Sequence, residues 1–381
     1  MAYENFFPRG IAKGEAFCNR ISERKRLALN IKGGQHTLLM SPRRYGKTSL
    51  VRYVIEEMNV PYGEADLFVA IDAKRIEQRI MSGIKMIFNT SSNSVEQTLR
   101  IIRNYFKTTN SKWTVGTQGI NLALVPNHDS DPATNVMEAL LALEDYLKQK
   151  KLRAVLFLDE IQEIGEIAEG KAIEGAIRHV AQESEYLSMV FSGSSRHLLS
   201  KMFFDKSRPL YKLCDRITID HISENDYVAH LNKLSQIRWG KKLNAAALKA
   251  LFALTERHPF YVNNLCSRLW QSSLIMPPTS NDIEEFWHEY LVEERLETAR
   301  ELSNLSTGQR KVLMAMAAGY SKRFTGKTFQ KLVNMTGPSV LEALQILEQK
   351  DYIERQIDQY KIIDPLIKTS LNLYFGGQRE E

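Results

Sequence analysis

The chain has 381 residues, 43% hydrophobic and 25% charged, with a formal net charge of +6. That length exceeds the ~250–300 residues at which one core stops growing, so two or three folded domains are expected, and the composition excludes a disordered or fibrous chain. No apolar run approaches the ~18 residues of a membrane span, the N-terminus has no charged-then-apolar leader pattern, and Cys18, Cys214 and Cys266 form no C-x-x-C pair; a cytoplasmic, reducing setting without structural zinc or membrane partner is the expectation.

In chain order, Phe17-Cys18-Asn19-Arg20-Ile21-Ser22-Glu23 precedes an amphipathic helix through Leu27 and Ile31, with Asn19 or Ser22 as candidate caps. Gly33-Gly34 ends it. A short apolar strand, Thr37–Met40, then runs into Ser41-Pro42-Arg43-Arg44-Tyr45-Gly46-Lys47-Thr48-Ser49-Leu50, followed at once by a helical pattern through Val51, Val54, Ile55 and Met58. Strand, loop and helix in that order make a phosphate-binding loop: backbone N–H groups at the helix start point at an anion and the helix dipole favours it. Lys47 would reach the β- and γ-phosphates of ATP and the Thr48 hydroxyl would hold Mg²⁺. The pattern G-x-x-x-x-G-K-[ST] calls for glycine at position 41, where this chain has serine; serine can make the turn if φ stays negative, so a variant loop is expected.

Leu67-Phe68-Val69-Ala70-Ile71-Asp72 reads as a buried parallel strand, and helical pattern resumes near Ser94–Lys107. Residues 113–125 break the α/β rhythm and read as a small inserted hairpin; the polar stretch Asn127–Thr134 reads as a loop before a helix ending in Lys148-Gln149-Lys150-Lys151. Arg153-Ala154-Val155-Leu156-Phe157-Leu158-Asp159-Glu160 follows, an apolar strand ending in two carboxylates. Asp159 would complete the Mg²⁺ shell and Glu160 would orient or deprotonate the attacking water. Leu187–Gly193 is a third apolar strand, whose tip Ser192-Gly193-Ser194-Ser195-Arg196 places hydroxyls and a guanidinium where ligands sit in open α/β sheets. Asp215–Ile219 is the expected last strand.

From His221 strands cease and helices take over, over Glu224–Ile237, Ala245–Thr255, Pro259–Ser273 and Asn281–Leu302, a helical lid. His258-Pro259 starts one of them, with proline at its first position. Three further helical patterns (Gln309–Ala317, Thr325–Val333, Pro338–Gln349) and two short strands around Ile357-Asp358-Gln359 make a winged-helix pattern. Its third helix contains no Lys or Arg and two Glu, while Lys322, Arg323, Lys327 and Lys331 lie on or before the second, so a protein-docking or autoinhibitory module is favoured over DNA reading for this end.

Taken together, Phe17-x-x-Arg20-x-x-Glu23, Pro42-Arg43-Arg44-x-Gly46-Lys47-Thr48-Ser49-Leu50, Asp159-Glu160-Ile161-Gln162, Gly193-Ser194, Pro209-Leu210-Tyr211, His258-Pro259 and Asp364-Pro365-Leu366 resemble the archaeal-type P-loop ATPases, related to AAA+ origin-recognition ATPases and to the STAND signal-transduction ATPases. The resemblance implies an α/β P-loop NTPase core with a parallel sheet over residues 1–220, a helical lid over 221–302 and a winged-helix domain over 303–381. It implies that Phe17, Arg20, His258 and Pro259 lie near adenine, that Arg43, Arg44, Tyr45, Gly46 and Ser49 belong with Lys47 and Thr48 in the nucleotide loop, and that Arg196 is a sensor arginine. His258 read by itself serves equally as a helix cap. Glu256-Arg257 stands where the family has Gly-Gly. The function implied is a slow, ATP-hydrolysing switch that moves its lid and winged helix to regulate a protein partner in trans, with homo-oligomerisation and a finger arginine (Arg208 or Arg216) as further expectations; the alternative is an ATP-dependent DNA-binding protein of the origin-recognition or transposition-helper kind.

Overall fold

The computed structural model describes residues 6–375 apart from 69, 92–93, 110–112, 119–120, 127–130 and 358. The chain divides into two compact units, residues 20–43 with 47–220, and residues 1–19 and 44–46 with 221–381.

The first of these is an α/β layer structure. In order it contains α1 (Ile21–Lys32), β1 (Thr37–Met40), α2 (Lys47–Met58), β2 (Tyr62–Asp66), α3 (Ala73–Thr90), α4 (Val95–Thr108), β3 (Trp113–Gln118), β4 (Asn121–Pro126), α5 (Pro132–Lys150), β5 (Ala154–Asp159), α6 (Gln162–Glu166), α7 (Gly170–Glu183), β6 (Leu187–Gly193), α8 (Arg196–Phe204) and β7 (Asp215–Thr218). Five strands form a parallel sheet in the order β2-β5-β6-β1-β7. Its central strands are apolar on both faces, as a sheet covered by helices on both sides requires: every residue of β1 and β6 is buried, as is β5 up to Leu158. The register pairs Met40 with Gly193 and Asp66 with Asp159, so the C-terminal ends of β1, β5 and β6 finish at one edge. Glu144 on α5 holds the start of β6 by accepting the backbone N–H groups of Glu185, Tyr186 and Leu187 at 2.8, 3.0 and 2.9 Å. β3 and β4 pair as an antiparallel hairpin outside the main sheet; its turn lies outside the described residues, as does the start of the polar stretch after it.

The expected strand over residues 67–72 is not one. β2 ends at Asp66, the N–H of Leu67 makes a last bond to the Asp159 carbonyl, and Phe68 (54% exposed) and Ile71 (81%) face outward. Asp72 then caps α3 through the Arg75 N–H at 2.7 Å. The true edge strand, Tyr-Gly-Glu-Ala-Asp, has little apolar content because only one of its sides is shared; Gly63 is required there by α3, since a Cβ would come 1.9 Å from the Gly83 carbonyl oxygen. Helix α3 itself lacks a sequence expectation, and its two apolar faces cover β2 and α5.

The second unit is helical. It has α9 (Glu224–Trp239), α10 (Ala245–Thr255), α11 (Pro259–Gln271), α12 (Ser280–Ser303), α13 (Thr307–Ala317), α14 (Lys327–Val333), α15 (Gly337–Gln349), the hairpin β8 (Ile353–Gln356) and β9 (Gln359–Ile362), and α16 (Pro365–Ser370). Sequence caps mark the starts: Ser223, Asn244, Thr279 and Ser306 each accept a backbone N–H of the first turn, the last two in capping boxes. One core gathers α9–α12 and also takes in Phe7 and Leu366; a second lies under α13–α15 and the hairpin and takes Ile367. Three helices and a β-hairpin are the winged-helix arrangement.

Candidate nucleotide site

Because β6 lies between β1 and β5, its tip stands between the phosphate loop and the two carboxylates. The loop itself is tightly built. Ser41 is buried and is not among the residues with positive φ, so serine meets the condition set for it in the sequence; the left-handed positions are Arg44 (φ 64°) and Gly46 (φ 86°). No neighbour crowds Gly46, so glycine is needed there for its backbone conformation alone. Lys47, the first residue of α2, is 7% exposed and its Nζ donates to the carbonyls of Ser41 and Pro42 at 3.2 and 3.1 Å. Ser49, two residues further on, is also buried.

Thr48 donates its hydroxyl to Asp159 Oδ2 at 2.9 Å. Asp159 Oδ1 accepts from the Ser192 hydroxyl and from the Glu160 N–H. Burial raises the Asp159 carboxyl above the ordinary aspartate range, against the lowering effect of the two hydroxyls. Glu160 has φ 53° and its Oε2 accepts three hydrogen bonds: from the Ser194 N–H at 3.0 Å, the Ser194 hydroxyl at 2.7 Å and Gln162 Nε2 at 2.5 Å. Arg43 Nε reaches the same Ser194 hydroxyl at 3.1 Å. One continuous network thus joins Arg43 of the loop to the second carboxylate through the β6 tip. Gly193 makes room for it, since a Cβ there would lie 2.0 Å from Gln162 Oε1, and that oxygen is buried without a hydrogen-bond partner.

Sequence reasoning placed Lys47, Thr48, Asp159, Glu160 and Arg43 in one site, and the fold brings them together. The hydroxyl-rich strand tip in the sequence includes Ser192, but its bond to Asp159 and the place of Gln162 beside Glu160 come from the fold. Arg196 is the first residue of α8, two residues past Ser194, and half-buried. Arg20 is 7% exposed, holds a left-handed backbone (φ 62°) at the start of α1, and donates to the Asp220 carbonyl and to Glu23. Phe17 is half-buried. Arg208 forms a bidentate ion pair with Glu174, and Arg216 is exposed and lies 5.3 Å from the Phe204 ring.

In the helical unit, Tyr45 packs edge-on against His258 (centroids 4.7 Å) and His221 (5.2 Å), and its hydroxyl lies 3.1 Å from His221 Nε2. Arg44 sits 4.3 Å over the Phe260 ring. His258 precedes Pro259 at the start of α11 and its side chain caps nothing, so the capping role open in the sequence is not taken. Its ring is 3% exposed, burial and the neighbouring His221 and Arg44 push its pKa down to about 3, and Nδ1 has no hydrogen-bond partner. Glu256 and Arg257 both have positive φ, 47° and 58°, the conformation for which glycine is suited. Glu256 compensates by accepting Lys361 at 2.9 Å and Lys368 at 2.6 Å, tying the end of α10 to β9 and α16. Tyr261 on α11 donates to Asp364 Oδ2 at 2.5 Å, while Asp364 Oδ1 caps α16 through the N–H groups of Leu366 and Ile367 at 2.8 and 3.1 Å.

Comparison with known proteins accords with this architecture. Residues 299–373 match the model of a probable winged helix domain. Among solved structures, the Walker-type ATPase of Pyrococcus abyssi aligns over 97% of this chain and 100% of its own, with a TM-score of 0.71 and 17% identity. The ORC2 protein of Aeropyrum pernix, solved as ADPNP–ADP complexes, aligns over 97% and 96% with a TM-score of 0.56 and 14% identity. The chain therefore shares the fold of these two proteins, with a parallel-sheet core and a C-terminal winged helix. A search of curated proteins found no match in sequence. Among the described residues no helix is long and apolar enough to cross a membrane.

Proposed function

We propose that the protein binds and slowly hydrolyses ATP with Mg²⁺, and that its nucleotide state moves the helical lid (221–302) and winged-helix domain (303–381) against the core to regulate a protein partner in trans, as a STAND-like switch. The observation that carries this reading is the convergence of Lys47, Thr48, Asp159, Glu160 and Ser194 at one edge of the parallel sheet. The donor set fits Mg²⁺: a hydroxyl and a buried carboxylate are hard oxygen ligands, and a carboxyl strained by burial gains from a nearby cation. When bound, the ion would supply charge neutralisation for the phosphates. Lys47 would turn from the loop carbonyls to the phosphates, Thr48 and Asp159 would hold the ion, and Glu160 would orient the attacking water. His258 Nδ1, neutral and unpaired, fits a hydrogen-bonding role toward a base; Phe17 and Arg20 are proposed to contact the base as well, and Arg196 to sense the γ-phosphate.

Glu160→Gln tests the reading. It is expected to keep ATP binding and to lower hydrolysis by about 10²–10⁴; phosphate release at the parent rate would remove Glu160 from the mechanism. The second reading, an ATP-dependent DNA-binding protein, is favoured by the winged-helix match. Against it, the exposed positions of α15 include Ser339, Leu341, Glu342 and Gln345 and no cation. Salt-dependent duplex binding lost on neutralising Lys322, Arg323, Lys327 and Lys331 together would support that reading, and no binding at low salt with ATP present would reject it.

A further inference from the structure

A groove of about 810 Å³ runs along α1 and meets the far end of α2. Its α1 side is one helical face: Ile21, Arg24, Lys25, Ala28, Ile31 and Lys32 recur at three- and four-residue spacing. The apolar floor is Ile21, Ala28 and Ile31, joined by Met58 from α2. Glu57 and Met58 lie ten and eleven residues along α2 from Lys47, roughly 15–17 Å at the rise of a helix, so this part of the groove is separate from the nucleotide loop.

Charge on its walls is one-sided. Arg24 is fixed, stacked 4.2 Å over Tyr53 and bidentate to Glu57 at 3.0 and 3.1 Å, which neutralises that pair. Its Nε is buried without a hydrogen-bond partner. Lys25, Lys32 and Arg153 are exposed, and among the described residues none of the three is in an ion pair. Arg153 donates to the Glu185 carbonyl at 2.7 Å, which fixes its position and leaves its charge uncompensated.

Three uncompensated cations beside an apolar floor, one of them held in place, along a helix about 18 Å long, match one kind of occupant. We propose that this groove docks an acidic amphipathic helix from a partner protein, with its apolar stripe on Ile21, Ala28 and Met58 and its carboxylates against Lys25, Lys32 and Arg153. Nucleic acid is the poorer fit, because a phosphate backbone has no apolar face for the floor. The site is independent of the nucleotide reading.

The test uses the full chain and a fluorescently labelled 18-residue peptide of Leu and Glu arranged as an acidic amphipathic helix, followed by anisotropy at low salt. A scrambled peptide of the same composition, without an apolar face, is the control, and an unlabelled DNA duplex is the competitor. The parent protein is expected to bind the patterned peptide with a micromolar Kd. Lys25→Glu with Lys32→Glu, both exposed positions, and separately Ala28→Trp, which fills the groove, are each expected to weaken binding at least about tenfold while far-ultraviolet circular dichroism and the unfolding midpoint stay those of the parent. The proposal is overturned if the patterned peptide fails to bind at about 1 mM, if the scrambled peptide binds as tightly, if neither variant weakens binding, or if the duplex displaces the peptide. Should one variant misfold, the other decides.

Discussion

Lys47 is the residue on which nucleotide affinity is expected to turn. Its ammonium is nearly buried and is held by two loop carbonyls, which carry no full charge, so it can exchange them for phosphate oxygens at little cost. Lys47→Ala is expected to abolish nucleotide binding with the fold retained. Thermal unfolding with and without MgATP measures this: at ATP near 100 times its Kd the parent should gain about 2.7 kcal/mol, and the variant should show no shift. An equal shift in both would show that the nucleotide binds without Lys47. That Lys47, Thr48, Asp159 and Glu160 gather at one edge of the sheet was legible because each lies close to a strand end. Ser192 and Gln162 were not, because their significance comes from a carboxylate on a neighbouring strand and not from their own local pattern.

At the scale of elements, the joint between α10, α11 and the C-terminal hairpin and helix decides how the switch would move. Glu256 bonds two lysines more than a hundred residues away in sequence, and Tyr261 bonds Asp364. Lid and winged helix are therefore expected to respond to nucleotide as one body. Glu256→Lys should raise hydrogen exchange in β9 and α16, and Lys368→Glu added to it should restore protection by reversing the pair. Partly exposed pairs of this kind each contribute about 0.2–1 kcal/mol, so the global unfolding midpoint should move little. Exchange unaffected by Glu256→Lys would mean that the Tyr261–Asp364 bond and apolar packing suffice. The sequence departure at Glu256-Arg257 marked the place, and both residues keep the left-handed backbone that glycine would supply. What it could not convey was the partner.

For the whole molecule, acid should weaken the helical unit. Burial pushes His230 down to about 4 and His258 to about 3, beside Lys233 and Glu15 in the one case and His221, Arg44 and Lys361 in the other. A histidine whose folded pKa lies below its unfolded value near 6.5 binds its proton more readily in the unfolded chain. The stability it confers is complete above that unfolded value and is lost as pH falls towards the folded one. Between pH 7 and 5 each of the two should cost about 2 kcal/mol. Unfolding midpoints across that range, in the parent and in His230→Gln, would reveal the slope; a flat profile would mean that these rings are solvated. Glu256, held low by its lysines, adds a further loss only below its ordinary value near 4.5. In the same molecule, trapping the Glu160→Gln protein with ATP and identifying what copurifies addresses the partner directly.

The sequence by itself determined the phosphate loop, the carboxylate-tipped strand β5, the hydroxyl-tipped strand β6 and the capped helices of the second unit. In these the chemistry is local, set by apolar period, cap residues and a loop closed within a dozen residues. Its failure at residues 67–72 has the same origin: an apolar run looks like a buried strand, but the edge of the sheet was taken by the more polar Tyr62–Asp66, where pairing with β5 and room under α3 counted for more than hydrophobicity. Only the tertiary structure decided that β6 lies between β1 and β5. Strand order follows from how whole faces are covered, and no segment encodes it alone. That order brings Ser192 to Asp159 and joins Arg43, Ser194 and Glu160 in one network.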